Sequence, residues 1–453
     1  MLAASRPQVR SRAPLAVIVL AAGQGTRMRS TKPKVLHTIA GRPMVLQVLD
    51  TVRALKPARL AVVLAPKMDA VAKAVAPATV AIQRTPCGTA DAVTAALPSL
   101  AGFDGDLLIA YGDQPLITTA TLRSLRGRLA DAGIAVLGFT PLDPGAYGRL
   151  ILDGNGDLAA IREYRDASAE ERQIDFCNSG VMAVRADVLR RLLPKIGSDN
   201  AKKEFYLTDL VALARAEGTR CAVGEGSEEE LQGVNSRAEL SIAESAMQWR
   251  LRAAAFESGA TLIAPESVWL SYDTKLGMDV TIGPNVFFSA GVSVGAGAQI
   301  LPFCHISGAK IGKGAIVGPF ARLRPGAVIG DGAHIGNFVE IKAATIAAGA
   351  NVNHLSYVGD ATVGTGSNIG AGTITCNYDG FAKHTTRIGK GVFIGSNTAL
   401  VAPVSVGDGA IVGAGSVVTK NVAKDSLVIA RGEQRQFNGA AKRYRVSKKK
   451  TKK

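Results

Sequence analysis

The hydrophobic residues of the second half of the chain return at every sixth position. An α-helix has about 3.6 residues per turn and cannot keep such a period on one face, and hairpin strands alternate every second residue. A six-residue period is typical of a parallel β-helix, in which each hexad forms one short side with one side chain pointing inward. Many of these residues precede a glycine, which we expect to give the backbone freedom at the corners. With single-residue slips and one interruption the series runs Ile282, Phe288, Val294, Ile300, Ile306, Ile311, Val317, Leu323, Ile329, Ile335, Ile341, Ile346, Val352, Val358, Val363, Ile369, Ile388, Ile394, Leu400, Val406, Val412 and Val418.

Residues 15–236 show a different pattern, in which short apolar runs alternate with segments of helical periodicity. Strands alternating with helices predict an α/β domain with a mostly parallel, Rossmann-like sheet and helices on both faces. Ligands of such sheets bind at the carboxyl ends of the strands, so we look for chemistry there. The predicted strands are Ala16–Leu20, Leu60–Leu64, Leu107–Ala110 and Ala135–Phe139, and helical segments include Met44–Leu55 and Thr89–Leu97.

One helix is predicted between the two halves. Residues 237–259 carry an apolar stripe at helical spacing, and Gly259 is a plausible end. The predicted organisation is therefore a basic extension at 1–14, an α/β domain at 15–236, a linker helix at 237–259, a β-helix domain at 260–441 and a disordered basic tail at 442–453.

The net charge of +16 is concentrated at the chain ends, because eight of the last twelve residues are basic and none is acidic. Such runs are usually solvated tails, and Tyr444 is the lone aromatic residue among them, which disfavours a nucleic-acid-binding arm. The five scattered cysteines form no zinc or C-x-x-C spacing and fit a reduced, cytoplasmic protein. No apolar stretch reaches the length needed to span a membrane.

A glycine-rich loop follows the first predicted strand. Its sequence, from Leu20 through Ala21, Ala22 and Gly23 to Arg27, is followed by Lys34. Glycines let backbone N–H groups approach phosphate oxygens, and two cations neutralise phosphate charge. The spacing matches neither a Walker loop nor a dinucleotide-binding fingerprint.

This loop resembles that of the sugar-nucleotide pyrophosphorylases, and later segments match the same family in order. The resemblance implies that Gln83, Gly88 and Thr89 recognise uracil, although Pro86 and Cys87 are uncommon there and leave base selectivity open. It places Tyr111 beside the nucleotide, and it makes Asp113 and Asn235 ligands of Mg²⁺. Oxygen ligands suit that ion, which would screen the charge between a sugar 1-phosphate and a nucleoside triphosphate. The implied sugar contacts are Tyr147, Gly148, Arg149, Glu163 and Asn178.

Several residues of the second half lie off the six-residue pattern and are candidates for chemistry. Arg324 and Lys342 precede His354, and a loop beginning at Thr375 interrupts the repeat and carries Lys383. A single histidine is more often structural than catalytic, but loops on a rigid scaffold commonly carry function. A neutral imidazole has the basicity needed to take a proton from an attacking amine.

These segments, taken with the first half, closely resemble the bifunctional bacterial enzymes that join glucosamine-1-phosphate acetyltransferase to N-acetylglucosamine-1-phosphate uridylyltransferase. The resemblance covers the chain from about residue 15 to the basic tail. It implies a left-handed β-helix, a homotrimer, and His354 as the general base of acetyl transfer. It assigns the sugar phosphate to Arg324, Lys342, Tyr357, Asn368 and Lys383, and acetyl-CoA to Ala371, Asn377, Tyr378, Ser396, Ala414 and Arg431.

The predicted function is therefore synthesis of UDP-N-acetylglucosamine from glucosamine 1-phosphate, acetyl-CoA and UTP, by way of N-acetylglucosamine 1-phosphate, with small molecules as partners and no membrane or nucleic acid. One alternative is a pyrophosphorylase whose β-helix is not catalytic, and His354 and Lys342 argue against it. A second is a scaffold or nucleic-acid-binding protein, and the set of Arg27, Lys34 and Asp113 argues against that.

Overall fold

The computed structural model describes residues 13–450, and the chain divides into two compact units between Arg250 and Leu251. The division falls within the long helix Arg237–Glu257, where the sequence predicts a linker helix at 237–259. The helix ends at Glu257, and Gly259, two residues later, has a φ of 84°, which is readily adopted by a residue without a Cβ atom. Among the described helices, none combines the length and apolar character needed to cross a bilayer.

The first unit is built on a mixed, mostly parallel sheet. Leu15–Leu20 forms a fully buried central strand, paired in parallel with Asp106–Tyr111 on one side and Arg59–Leu64 on the other. The one strand antiparallel to its neighbours along the main path is Cys177–Arg185. The strand order is Cys221–Glu225, Ile134–Phe139, Cys177–Arg185, Asp106–Tyr111, Leu15–Leu20, Arg59–Leu64 and Thr79–Ile82, with Arg149–Leu152 and Leu158–Arg162 paired beyond Cys177–Arg185 and a separate hairpin of Thr38–Ile39 and Arg42–Pro43.

Helices cover both faces of this sheet, because alternate residues of the central strands point into two separate apolar clusters. The predicted strands and helices are confirmed to within two residues at each end. The α-helices are Met44–Arg53, Asp69–Val75, Thr89–Ala96, Thr119–Gly127, Ala186–Leu192, Asp209–Ala216 and Glu228–Leu231, and short 3₁₀ helices are Thr26–Met28, Lys34–Leu36, Leu97–Leu100, Arg128–Ala130, Glu171–Gln173, Leu193–Lys195 and, in the second unit, Pro265–Ser267.

The second unit is a left-handed parallel β-helix with three sheets along its described length. Each strand pairs in parallel with the strand one coil later, as Ile282 does with Ile300 and Ile300 with Val317. The first sheet contains Thr261–Leu262, Thr281–Ile282, Gln299–Ile300, Ile316–Val317, His334–Asn337, Asn351–His354, Asn368–Ile369, Phe393–Ile394, Ile411–Val412 and Leu427–Val428. The second contains Lys275–Leu276, Ser293–Val294, Lys310–Ile311, Val328–Ile329, Thr345–Ile346, Ala361–Val363, Thr386–Ile388 and Val404–Val406. The third contains Phe287–Phe288, His305–Ile306, Arg322–Leu323, Glu340–Lys342, Tyr357–Gly359, Ile374–Cys376, Ala399–Val401 and Val417–Val418.

The residues of the six-residue series are the buried core of this β-helix, as predicted. The role expected for the glycines that follow them is largely wrong. Gly295, Gly312 and Gly330 do not have positive φ, and a Cβ atom on each would lie 2.5–2.7 Å from a backbone or side-chain atom of the next coil. Glycine is required there by the close approach of successive coils. The left-handed corners are formed by other residues, including Gly297, Gly314 and Gly332.

The basic tail differs from the prediction of disorder. The structure has a helix at Ala440–Lys450, which is exposed over residues 441–448. Eight of its eleven residues are alanine, lysine or arginine and none is proline or glycine, a composition that favours helix formation. The remaining tail residues and most of the predicted extension at 1–14 lie outside the described part of the chain.

Candidate active sites

The glycine-rich loop of the first unit lies against Lys34. Gly25 has a φ of 64°, and a Cβ atom there would lie 2.5 Å from the Cβ atom of Lys34. A Cβ atom on Gly23 would lie 3.9 Å from Lys34 Nζ. Gly25 therefore lets the loop pack directly on the lysine side chain, whereas a Cβ atom at position 23 would make an ordinary contact with it. Arg27, in the 3₁₀ helix that follows, is exposed to solvent.

Lys34 joins the two predicted metal ligands. Its ammonium group forms a short ion pair with Asp113 and donates a hydrogen bond to Asn235 Oδ1 at 2.9 Å. The lysine is only 8% exposed, and the backbone N–H of Val234 donates to the carbonyl of Asp113 at 2.8 Å. Asp113, which follows the strand Asp106–Tyr111, and Asn235, which precedes the long helix, therefore present oxygens to one cation.

This donor set fits a magnesium site. One carboxylate and one amide oxygen converge on a single positive charge, and Mg²⁺ is commonly held by one or two protein ligands with phosphate and water completing its coordination. Among the described residues, no group of three or more His, Cys, Asp or Glu side chains could hold a metal ion on its own. The residues present thus match an ion that binds together with a phosphate substrate.

The segment predicted to recognise uracil is assembled around Gln83. This side chain is 6% exposed, and its Nε2 donates to the carbonyl of Gly88 at 3.0 Å and to Asp91 at 2.8 Å. Gly88 has a φ of 117°, and a Cβ atom there would lie 2.4 Å from the carbonyl oxygen of Phe205. Thr89 Oγ1 accepts from the backbone N–H of Leu207 at 2.9 Å. Asp91, Phe205 and Leu207 are contacts that the sequence did not indicate.

The predicted sugar residues fall into two groups. The N–H of Asn178 donates to the carbonyl of Gly148 at 2.8 Å, and the Asn178 side chain accepts from the N–H of Gly180 at 2.9 Å. Gly180 packs against the ring of Tyr111, since a Cβ atom there would lie 2.7 Å from it. Gly148, Asn178 and Tyr111 are therefore neighbours, and burial and the nearby carboxylates of Asp113 and Glu163 raise the pKa of Tyr111.

The side chains of Glu163 and Arg149 have different hydrogen-bond partners. Glu163 accepts a hydrogen bond from Thr208 at 3.3 Å, and burial raises the pKa of its carboxyl group. Arg149 is only 2% exposed, and its guanidinium donates to the carbonyls of Pro144, Tyr147, Gly145 and Arg172. The structure thus assigns the Arg149 side chain to holding the surrounding loop rather than to contacting a sugar.

Arg237 was not predicted as a functional residue, yet it contacts Met28, which directly follows the glycine-rich loop. Its guanidinium donates to the carbonyl of Met28 at 3.3 Å and lies 3.3 Å from His37 Nδ1. Burial and the charges of Arg237 and Lys32 lower the pKa of His37. The first residue of the long helix therefore supports the end of the glycine-rich loop.

The β-helix brings the predicted phosphate-binding cations to one region. Arg324 donates to Glu340 at 2.8 Å, and Lys342 Nζ lies 3.7 Å from Asp360. A hydrogen bond and charge repulsion from Lys342 lower the pKa of Lys383. Two ammonium groups held side by side favour an anion between or beside them. Glu340 is the counter-charge of Arg324, and Asp360 is that of Lys342.

His354 is exposed and is oriented by Asn337. The two residues are register partners on the first sheet, and Nδ1 of the imidazole lies 2.8 Å from Asn337 Oδ1. An amide oxygen only accepts, so Nδ1 is the donor in this contact, and in a neutral imidazole Nε2 is the nitrogen with the free lone pair. Asn337 was not predicted as a functional residue.

Four of the six predicted acetyl-CoA residues lie along one edge of the β-helix that begins at His354. The N–H of Gly372 donates to the carbonyl of His354. In the following coils, the N–H of Asn397 donates to the carbonyl of Ala371, and the N–H of Gly415 donates to that of Ser396. The Arg431 side chain donates to the carbonyl of Ala414, and these four hydrogen bonds are 2.6–3.2 Å long. Successive coils are about 4.8 Å apart. The edge therefore offers an extended track leading to the imidazole.

The interrupting loop carries Asn377, Tyr378 and Lys383 and folds as a small hairpin. Tyr378 pairs with Lys383, and Asp379 accepts from the N–H groups of Phe381 and Ala382 and from His384 Nε2. Asn377 donates to Asp360 and so ties the loop to the cation cluster. Asn368 lies on the first sheet, whereas Tyr357, its predicted partner in sugar binding, lies on the third.

Comparison with known proteins agrees with this division of the chain. The MobA-like NTP transferase domain matches residues 17–177, the bacterial transferase hexapeptide matches residues 308–343, and the hexapeptide repeat of succinyl-transferase matches residues 385–420. The fold and the two clusters define a nucleotidyltransferase joined to a hexapeptide-repeat acyltransferase.

Curated relatives cover almost the whole chain. "Bifunctional protein GlmU" of Paramagnetospirillum magneticum is 57% identical over 435 residues, which are 95% of this chain and 97% of the relative. The protein of that name from Rhodospirillum rubrum is 57% identical over 95% of this chain and 97% of its own, and that from Bradyrhizobium sp. is 54% identical over the same shares. The chain belongs to the GlmU family. It is a bifunctional enzyme, with a nucleotidyltransferase and an acetyltransferase domain, and the predicted family, fold class and enzyme class are confirmed.

Proposed function

We propose that the two sites act in sequence on one sugar phosphate. The β-helix transfers an acetyl group from acetyl-CoA to glucosamine 1-phosphate, and the α/β domain then couples N-acetylglucosamine 1-phosphate to UTP, with release of pyrophosphate. The observation that supports the proposal is the presence in one chain of two clusters of charged and polar side chains, one with Lys34 and Asp113 and one with Lys342 and His354.

In the uridylyl-transfer site, the reacting groups are both anionic, so their repulsion must be reduced. Asp113 and Asn235 would hold Mg²⁺, which when bound screens the phosphates and polarises them for attack. Lys34 and Arg27 stabilise negative charge as pyrophosphate leaves. Gln83, Gly88 and Thr89 hold the base, while Asn178 and Glu163 hold the sugar. The sugar phosphate oxygen is itself the nucleophile and needs no protein base.

In the acetyl-transfer site, Arg324, Lys342 and Lys383 bind the phosphate and so fix the amine beside the imidazole. His354 Nε2 takes a proton from the amine, whose nitrogen forms a bond to the thioester carbonyl carbon. The bond to sulfur then breaks, and the thiolate of coenzyme A receives the proton from the imidazolium. By accepting from Nδ1–H, Asn337 makes Nε2 the nitrogen that takes up the proton and then releases it.

The assembly and location of the enzyme belong to the same proposal. The family resemblance points to a homotrimer in which neighbouring β-helices complete the acetyl-transfer site, and to a cytoplasmic enzyme. The free state of all five cysteines supports a reducing compartment. Light scattering on the purified protein would give the molar mass and would contradict the trimer if it matched a single chain.

The experiment that tests the function is an incubation of purified protein with UTP, Mg²⁺, acetyl-CoA and glucosamine 1-phosphate, with each component omitted in turn. We expect UDP-N-acetylglucosamine, identified by mass spectrometry, in the complete mixture alone. Replacing glucosamine 1-phosphate and acetyl-CoA by N-acetylglucosamine 1-phosphate should restore the product. Pyrophosphate release without any acetyl transfer would instead favour a pyrophosphorylase with a non-catalytic β-helix.

A further inference from the structure

The loop that carries Asn235 is held by the first turn of the helix Arg237–Glu257. The backbone N–H groups of Asn235 and Ser236 both donate to Glu239 Oε2, at 2.5 and 2.9 Å. In return, the N–H of Glu239 donates to Ser236 Oγ at 3.2 Å. This reciprocal pattern is a capping box, which satisfies N–H groups that a helix start otherwise leaves without partners.

Asn235 directly precedes the capping box and presents its side chain to the candidate site. Asn235 Oδ1 accepts from Lys34, while Asn235 Nδ2 donates to the carbonyl of Gly233 at 3.3 Å. The preceding N–H, of Val234, donates to the carbonyl of Asp113. Both Glu239 and Asn235 are half-buried. The carboxylate therefore fixes the backbone from which the Asn235 amide projects.

We propose that Glu239 is a positioning residue for uridylyl transfer, which keeps Asn235 Oδ1 beside Asp113 by accepting the Asn235 N–H. This inference rests on the proposed function, because it takes Asn235 and Asp113 as the residues that hold Mg²⁺. Glu239 contacts neither substrate nor ion in this role. Groups that orient a metal ligand in this way commonly change metal affinity by about 10- to 100-fold when they are removed.

A purely structural role for Glu239 makes a different prediction, since any capping residue stabilises its helix. Ser236→Ala separates the two roles. It removes the hydrogen bond from the Glu239 N–H to Ser236 Oγ but leaves the Asn235 N–H and Glu239 in place. Glu239→Gln is the conservative variant, because an amide oxygen also accepts from backbone N–H groups in a capping box.

The test is a titration of the full-length protein with Mn²⁺ in the presence of UTP, followed by electron paramagnetic resonance, together with a thermal melt of each variant. Glu239→Ala should weaken Mn²⁺ binding about tenfold or more. Ser236→Ala should lower the melting temperature but bind Mn²⁺ as the parent does, and Glu239→Gln should stay within about threefold of the parent. Acetyl transfer should be unchanged in all three.

Two results would overturn the proposal, and they are distinguishable. If Glu239→Ala binds Mn²⁺ like the parent while melting as low as Ser236→Ala, Glu239 only caps the helix. If the parent itself takes up no Mn²⁺ with UTP, the metal assignment of the proposed function is wrong, and the role of Glu239 is lost with it.

Discussion

The two candidate sites of this chain are assembled by different means. In the α/β domain, Lys34 contacts Asn235 across 201 positions of sequence, and Asp113 reaches the same point from another strand end. In the β-helix, the contacts from Asn337 to His354 and from Lys342 to Asp360 join residues that lie about one coil apart. The first site is formed by the convergence of distant loops, and the second by stacking of adjacent coils.

This difference determines how each site responds to change. The cations of the β-helix site are exposed or half-buried on a rigid scaffold, so replacing one should alter the chemistry with little effect on folding. Lys34 is buried and forms an ion pair with Asp113. Replacing either residue of the α/β site should therefore change both ligand binding and local stability. The predictions below test this contrast.

The largest effect is expected from His354→Ala. Loss of a general base lowers the rate of acetyl transfer by about 10²- to 10⁴-fold, whereas uridylyl transfer should stay unchanged. Coenzyme A release and pyrophosphate release measure the two reactions. His305→Ala is the matched control, because His305 is also exposed on the β-helix but lies three coils earlier than Tyr357 on the third sheet and outside the cation cluster. Near-normal acetyl transfer by His354→Ala would show that the base is another group.

Asp113→Ala should lower uridylyl transfer by about 10²- to 10³-fold, because it removes electrostatic stabilisation of the phosphates. Acetyl transfer should be unaffected. The control is Asp106→Ala, at the other end of the same strand, where the carboxylate pairs with Arg126. If both variants lost activity equally, the effect would come from the strand and not from the site.

The scaffold itself is tested by two neighbouring positions of one strand. Ile329 is 2% exposed and Val328 is 37% exposed. Ile329→Ala should lower the free energy of unfolding by about 2–5 kcal/mol, and Val328→Ala by less than about 1 kcal/mol. Chemical denaturation measures both. Equal losses would contradict the assignment of every sixth residue to the core.

The smallest effect is expected from Glu163→Gln. Burial raises the pKa of Glu163, so the folded protein holds this proton more tightly than the unfolded chain does. The ionised carboxylate therefore opposes folding at pH values above the raised pKa, and the penalty disappears below the ordinary pKa. The melting temperature of Glu163→Gln should exceed that of the parent by an amount that grows from pH 4 to pH 8. A difference that shrinks as pH rises would contradict this account.

Glu163→Gln should also raise the KM for N-acetylglucosamine 1-phosphate if Glu163 contacts the sugar. Greater stability combined with weaker substrate binding would identify a residue retained for function. An unchanged KM would contradict the sugar contact, whatever the effect on stability.

The sequence predicted the fold well because both halves have strong periodic patterns. The six-residue series gave the β-helix core, and the register between coils followed from it. The glycines after the core residues were misinterpreted, because the sequence does not show that successive coils approach within a Cβ contact. The tail helix was not predicted, because the high density of positive charge is typical of a solvated tail although the same residues favour a helix.

The sites were predicted from the resemblance to a known family, and the structure adds how the residues are held. Asn337 and Asp360 contact His354 and Asn377, each about one coil along the chain, and these pairings exist only in the folded β-helix. The spacing of Ser236 and Glu239 is a capping-box signature in the sequence, but the contact of Glu239 with the Asn235 N–H is seen only in the structure. Arg149 looked like a sugar contact in the sequence, but its guanidinium is buried among carbonyls. Spacing alone cannot show which way a side chain points.

The central claim is that one chain carries two independent sites joined by a diffusible intermediate. The most direct measurement is formation of UDP-N-acetylglucosamine from glucosamine 1-phosphate, acetyl-CoA and UTP by His354→Ala, by Asp113→Ala and by their equimolar mixture. We expect almost no product from either variant alone and recovery of product in the mixture, because N-acetylglucosamine 1-phosphate made by one variant is used by the other. A mixture as inactive as its components, made from correctly folded variants, would contradict the account.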